Sequence, residues 1–79
     1  MHEPVHLTRC DPLCNMARFY RLEIAPDLFG GAVLLRQWGR IGTEGQGRRD
    51  WYSEAGAARA ACDGWIRRKC ARGYQTGGE

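Results

Sequence analysis

Between residues 36 and 40 a strand-like alternation places Arg36, Trp38 and Arg40 on one parity, with Gln37 and Gly39 between them. An indole offers a flat face on which a base or sugar can stack. Each flanking guanidinium can donate a fork of hydrogen bonds to phosphate oxygens. Gly39 has no side chain and would let another backbone or a ligand approach closely. Arg48 and Arg49 follow a glycine-rich stretch, near enough in sequence for one of them to reach a phosphate. Trp38, Gly39, Arg40, Arg36, Arg48 and Arg49 are therefore the candidate nucleic-acid-binding residues. The spacing leaves a second account open, because a strand Trp is also ordinary core material with solvated arginines beside it.

Other chemistries find little support. The 79 residues allow one domain, and a chain this short buries only about 60% of its unfolded surface. A substrate cavity would consume hydrophobic material that the core needs. No Ser/His/Asp or Cys/His pairing falls in a plausible core, and helix capping accounts for Asp50 and Glu54. Gly42, Gly45 and Gly47 could present N–H groups to an anion, but no Gly-Lys-Ser/Thr follows them. Cys10, Cys14, Cys62 and Cys70 match no zinc spacing. They read as small apolar fillers. No catalytic residue, cofactor or metal is expected, and the chain reads as non-enzymatic.

The basic residues are unevenly placed. Residues 1–35 carry three basic and four acidic side chains, a net of −1; residues 36–79 carry nine and five, a net of +4. Lys69 is the one lysine among the twelve cations, and arginine suits anion recognition better than solubility alone. A GC-rich coding sequence would produce the same bias. No apolar run approaches the ~20 residues of a membrane span, and residues 1–6 do not read as a secretory signal. The expected setting is cytoplasmic, without membrane contact, as a monomer.

The elements that must position these residues follow from periodicity. Residues 1–14 read as a flexible leader. A strand over 17–25 places Tyr20, Leu22 and Ile24 on one face, with Phe19, Arg21 and Glu23 on the other. Pro26 to Gly31 is turn chemistry, and a second strand runs over 32–41. If a helix covers the Val33/Leu35 face, Trp38 with Arg36 and Arg40 is left on the open one. Residues 48–52 suit a short third strand. Ser53 can cap a helix that runs to about Arg72, with Ala55, Ala58, Cys62, Trp65, Ile66 and Lys69 as its apolar stripe. Gly73 stands at the expected C-terminal stop, and residues 76–79 read as a flexible tail. The fold class is α+β: a small antiparallel sheet with one amphipathic helix packed on one face.

The sequence also resembles the WGR domain family, named for the tripeptide present here as Trp38-Gly39-Arg40. The likeness includes Asn15-Met16-Ala17-Arg18-Phe19-Tyr20, Leu28-Phe29-Gly30-Gly31, Gln37 to Thr43, Gly45-Gln46-Gly47 and Lys69 with Gly73-Tyr74. It covers roughly residues 15–75. WGR domains occur beside the catalytic domain of DNA-dependent poly(ADP-ribose) polymerases and in bacterial stand-alone or molybdate-regulator-like proteins. The resemblance implies an antiparallel sheet with a packed helix. It also implies DNA binding near breaks, with Trp38 against a terminal nucleotide and basic residues on the backbone. Arg40 matches an arginine that also relays binding to neighbouring domains in the polymerases. The turn from Gly42 to Gly47 is shorter than theirs.

Two functions follow. The first is a nucleic-acid-binding module, with DNA favoured over RNA and ends or nicks as the favoured structure. The second is a protein–protein interaction module that uses the same sheet face as an anchor for a partner chain.

Overall fold

The computed structural model describes residues 4–76, and Met1–Glu3 and Gly77–Glu79 lie outside them. A five-stranded antiparallel sheet, ordered β4-β3-β2-β1-β5, carries one long helix on one face. The strands are β1 (Val5–Asp11), β2 (Met16–Pro26), β3 (Ala32–Arg40), β4 (Gln46–Tyr52) and β5 (Gln75–Thr76), and the helix is α1 (Ala55–Ala71). No helix among the described residues is long and apolar enough to cross a membrane.

Strand β1 corrects the expected leader over 1–14 from Val5 onward, and residues 1–3 of that expectation lie outside the described residues. It pairs with β2 over seven positions, from Val5↔Leu22 to Asp11↔Met16, and Leu7 is completely buried opposite Tyr20. Only Val5 and Leu7 alternate as apolar residues there, too short a signal to stand without a partner strand. A 3-10 turn, Pro12–Cys14, reverses the chain into β2. The Asp11 carboxylate accepts from the Leu13 N–H at 3.1 Å, and Asn15 closes the turn in the left-handed region (φ 52°) that Asn tolerates. Thr76, expected in the tail, pairs with Leu7 in β5, so only the Gly77–Glu79 part of that expectation lies outside the described residues.

The second correction concerns which face of β3 is covered. Strands β2 and β3 pair from Pro26↔Ala32 to Arg18↔Arg40, so Tyr20 stands beside Trp38, Leu22 beside Arg36 and Ile24 beside Leu34. Directly paired residues share a face. The apolar parity of β2 therefore puts Ala32, Leu34, Arg36 and Trp38 beneath the helix. Val33 and Leu35, expected there, lie half-buried on the opposite side. The buried core is Leu7, Tyr20, Leu22, Ile24, Ala32 and Leu34 from the sheet, with Ala58 and Cys62 from α1. Leu7, Leu22 and Leu34 are its largest fully buried side chains, each stabilising by roughly 1.5–3 kcal/mol. Cys62 serves as the filler expected of it, whereas Cys10 and Cys70 are exposed.

Helix α1 begins without the expected Ser53 cap. Glu54 is the capping residue, its side chain makes no capping bond, and its carbonyl accepts from Ala57 and Ala58. The other end closes as anticipated at Gly73 (φ +101°). The Gly73 N–H donates to the Cys70 carbonyl and the Tyr74 N–H to that of Lys69, the paired bonds of a Schellman stop. Tyr74 is thereby turned back onto the core.

The glycine turn after β3 has a steric cause. A Cβ on Gly39 would sit 2.7 Å from the Gly45 Cα, and one on Gly45 (φ +70°) would collide with the Trp38 carbonyl oxygen. The two glycines let the loop fold over β3, backbone against backbone. Gly45→Ala is expected to destabilise by about 2 kcal/mol or more, read as a lowered thermal midpoint. An unchanged midpoint would mean that the loop moves away freely.

Candidate nucleic-acid interface

Tyr20 is the centre of the helix-covered face. Its ring stacks on Trp38 (centroids 5.7 Å apart, planes 16° apart) and on Trp65 of α1 (6.2 Å, 26°), with Tyr74 edge-on at 6.4 Å. The Lys69 ammonium sits 4.6 Å from its centroid. Trp38 is thus half-buried rather than exposed, which corrects the open-face expectation. Tyr20 on β2 stacks on one face of the indole, and Gln46 on β4 is the cross-strand neighbour of Trp38 on its other flank.

Arg36 is 7% exposed, the charged member of the core. Its guanidinium lies between the two tryptophans, 4.2 Å from the Trp65 centroid and 5.6 Å from that of Trp38. One terminal nitrogen donates to the Tyr20 hydroxyl at 3.1 Å and the other to Asp50 at 3.2 Å. Burial alone would lower its pKa, but Tyr20 and Asp50 outweigh burial and the net shift is upward. Arg36 therefore holds Trp38 in place; it is not the free phosphate ligand that the alternation suggested. Its partner Asp50 also accepts from Arg48 at 3.2 Å, so Arg48 begins the exposed rim of the same face.

The candidate residues divide between the two sides of the sheet. Arg36, Trp38, Arg40 and Arg48 share the helix side, while Gly39 and Arg49 belong to the other. Gly39 is filled from that other side by Gly45, which explains the missing side chain without a ligand. Arg49 pairs with Leu35 across the strands, away from the indole.

The fold adds cations that the alternation did not show. Arg9↔Arg18 and Arg18↔Arg40 are direct cross-strand partners. Three arginines therefore stand in a row over β1, β2 and β3, with neighbouring Cα atoms ~5 Å apart. The row lies just past the C-terminal end of α1. Arg9 packs against Gly73, its Nε 3.3 Å from where a Cβ there would sit. None of the three has a carboxylate partner among the described residues, where the ion pairs are Arg21–Glu23, Arg36–Asp50 and Arg48–Asp50. The row exists only where two pairings meet, β1 with β2 and β2 with β3. Arg18 on the Tyr20 parity was its one legible sign.

Lys69 reports the same excess of positive charge. Burial, then Arg72, Arg36 and Arg18, hold its pKa below the ordinary lysine value. In the alkaline window between the folded and unfolded values the unfolded chain binds the extra proton. Stability contributed by this group is thus present above the unfolded value and is lost as pH falls through the folded one. Lys69→Met keeps the apolar stem and is expected to flatten that alkaline rise while leaving the neutral-pH midpoint unchanged or higher, measured by thermal melts across pH. A lower midpoint at neutral pH would show that the contacts with Tyr20 and Tyr74 outweigh the repulsion. The Cys62 thiol is pushed up by burial and then by Asp63, which keeps it protonated and inert.

No solved structure matches the chain. It is 46% identical over 72 residues to the uncharacterized protein y4dW of Sinorhizobium fredii (strain NBRC 101917 / NGR234), covering 90% of this chain and 35% of that protein. The chain thus spans about a third of the length of this relative. The WGR domain family matches residues 3–79, including β1, which the sequence motifs had left outside. With every described residue inside that match, this protein belongs to the WGR domain family.

Proposed function

We propose that this domain is a non-enzymatic module that binds nucleic acid, DNA before RNA and ends or nicks before continuous duplex. The interface lies beyond the C-terminal end of α1. One observation carries the reading: Arg9, Arg18 and Arg40 form a row with no carboxylate partner among the described residues, next to an indole propped by Tyr20 and Arg36. Such a row presents paired donors to phosphate oxygens. The half-buried indole supplies an edge and one partly open face for the terminal sugar or base. Desolvated Lys69 and the neighbouring Arg72 deepen the positive potential. The association of WGR domains with nucleic-acid binding supports the same reading. Arg36 and Gly39 shape the site, Arg48 lies at its rim, and Arg49 on the far side of the sheet is left out.

A protein-docking function draws on a different surface. Leu28 is 96% and Phe29 89% exposed at the β2–β3 turn, next to Trp51 at 58%. An apolar tip of this kind is a partner-sized anchor. NMR titration with a short 5′-phosphorylated duplex at low and moderate salt separates the two functions. Saturable shifts at Trp38, Arg18 and Arg40 that weaken with salt support DNA binding. No shifts at low salt would reject it and favour the apolar tip.

A further inference from the structure

The groove between α1 and β4 is left unexplained by the fold and by the arginine row. It is open, encloses about 550 Å³, and is walled by Arg36 and Arg48 on the sheet side and by Gly64, Trp65 and Arg68 on the helix side. Its charge is unbalanced. Asp50 is shared between Arg36 and Arg48, and no carboxylate pairs with Arg68 among the described residues. Arg68 is instead held 4.8 Å from the Trp65 centroid. Three guanidinium groups therefore face one carboxylate.

Gly64 supplies an independent observation. Glycine inside a helix costs about 1 kcal/mol relative to alanine. A Cβ at Gly64 would meet nothing within 4 Å, so no contact inside the domain requires the glycine. Its effect is to keep the helix wall of the groove thin beside Arg68. Arg36 adds a third observation. Its guanidinium is paired with Asp50 and Tyr20, but its Nε–H is buried beside the groove without an acceptor, a donor left unsatisfied within the domain.

We propose that this groove is a phosphate subsite, in which Arg48 and Arg68 grip a backbone phosphate of the same nucleic-acid strand held at Arg40. The proposal rests on the nucleic-acid reading above. Arg48 is opposite Arg36, four residues along β3 from Arg40, a separation of about 14 Å. Half-buried Trp38 lies between the two positions on the same face of β3. A strand passing along the β4 flank of α1 would meet Arg40, then Trp38, then the groove. A free pyrophosphate shares the phosphate chemistry of the backbone and is the competing occupant.

Fluorescence anisotropy with a short 5′-phosphorylated duplex tests this with Arg68→Ala, Gly64→Leu and Arg40→Ala. Gly64→Leu removes a helix-weakening residue while filling the groove, so it separates binding from folding. Arg68→Ala and Gly64→Leu are each expected to weaken duplex binding about tenfold, the loss of one charge-assisted contact. Arg68→Ala should also reduce the salt slope by about one phosphate contact. A 5′-phosphorylated dinucleotide, too short to reach from Arg40 to the groove, should bind both groove variants as tightly as the unaltered domain. If the folded groove variants bind the duplex normally while Arg40→Ala weakens it, the subsite is rejected and the interface at the arginine row stands. If the unaltered domain binds no duplex, both ideas fall. If pyrophosphate saturates the groove while duplex affinity ignores Arg68, the occupant is a free anion and the strand path is wrong.

Discussion

Tyr20→Ala is expected to leave the domain largely unfolded at ordinary temperatures. Truncating a buried aromatic costs about 3–5 kcal/mol through lost burial and the cavity left behind. Here the cavity would open beneath Trp38, Trp65 and Tyr74 at once, since all three rings rest on Tyr20. The change also strips the buried Arg36 of the hydroxyl that accepts its hydrogen bond, leaving a donor unpaired at about 1–3 kcal/mol. A small domain commonly has only 5–15 kcal/mol in total. Thermal or urea melts read the effect directly. Tyr20→Phe isolates the second part: the rings stay packed, only the hydroxyl is lost, and the midpoint should fall by a smaller step. A Tyr20→Ala protein with a near-normal midpoint would mean that the aromatic cluster is peripheral to stability.

The second large effect concerns binding. The double variant Arg18→Glu/Arg40→Glu is expected to abolish detectable duplex binding while preserving the fold. Both side chains are exposed and carry no ion pair among the described residues, so reversing them breaks no internal contact. It turns two attractive phosphate contacts into two repulsions and reverses the local potential around Arg9 and Lys69. Loss of about four unit charges' worth of favourable interaction corresponds to at least a hundredfold in affinity at moderate salt. The thermal midpoint should stay unchanged or rise, since the new carboxylates relieve the crowding of Lys69 by cations. Normal binding by a folded double variant would remove the arginine row from the interface. Arg49→Glu, on the other side of the sheet, serves as the control that should bind normally.

What the sequence determined by itself was the inventory of elements and their local chemistry. The β2 parity of Tyr20, Leu22 and Ile24, the turn at Pro26 to Gly31, the helix ending at Gly73 and the WGR motif were all legible. Each is set by interactions within a few residues: pleat, turn geometry and helix period. Tertiary structure decided which side of β3 faces the helix, because a one-residue change of register swaps every side chain between faces. The pairing Pro26↔Ala32 was the missing datum. With it, the β2 alternation would have placed Leu34, Arg36 and Trp38 inward. Strand β1 was hidden for a related reason, since Val5 and Leu7 signal a strand only once β2 lies beside them. The row Arg9–Arg18–Arg40 was hidden too, because its members are nine and twenty-two residues apart in the chain. Only the antiparallel register brings three such distant charges to neighbouring strands, where their fields add on one side of the sheet.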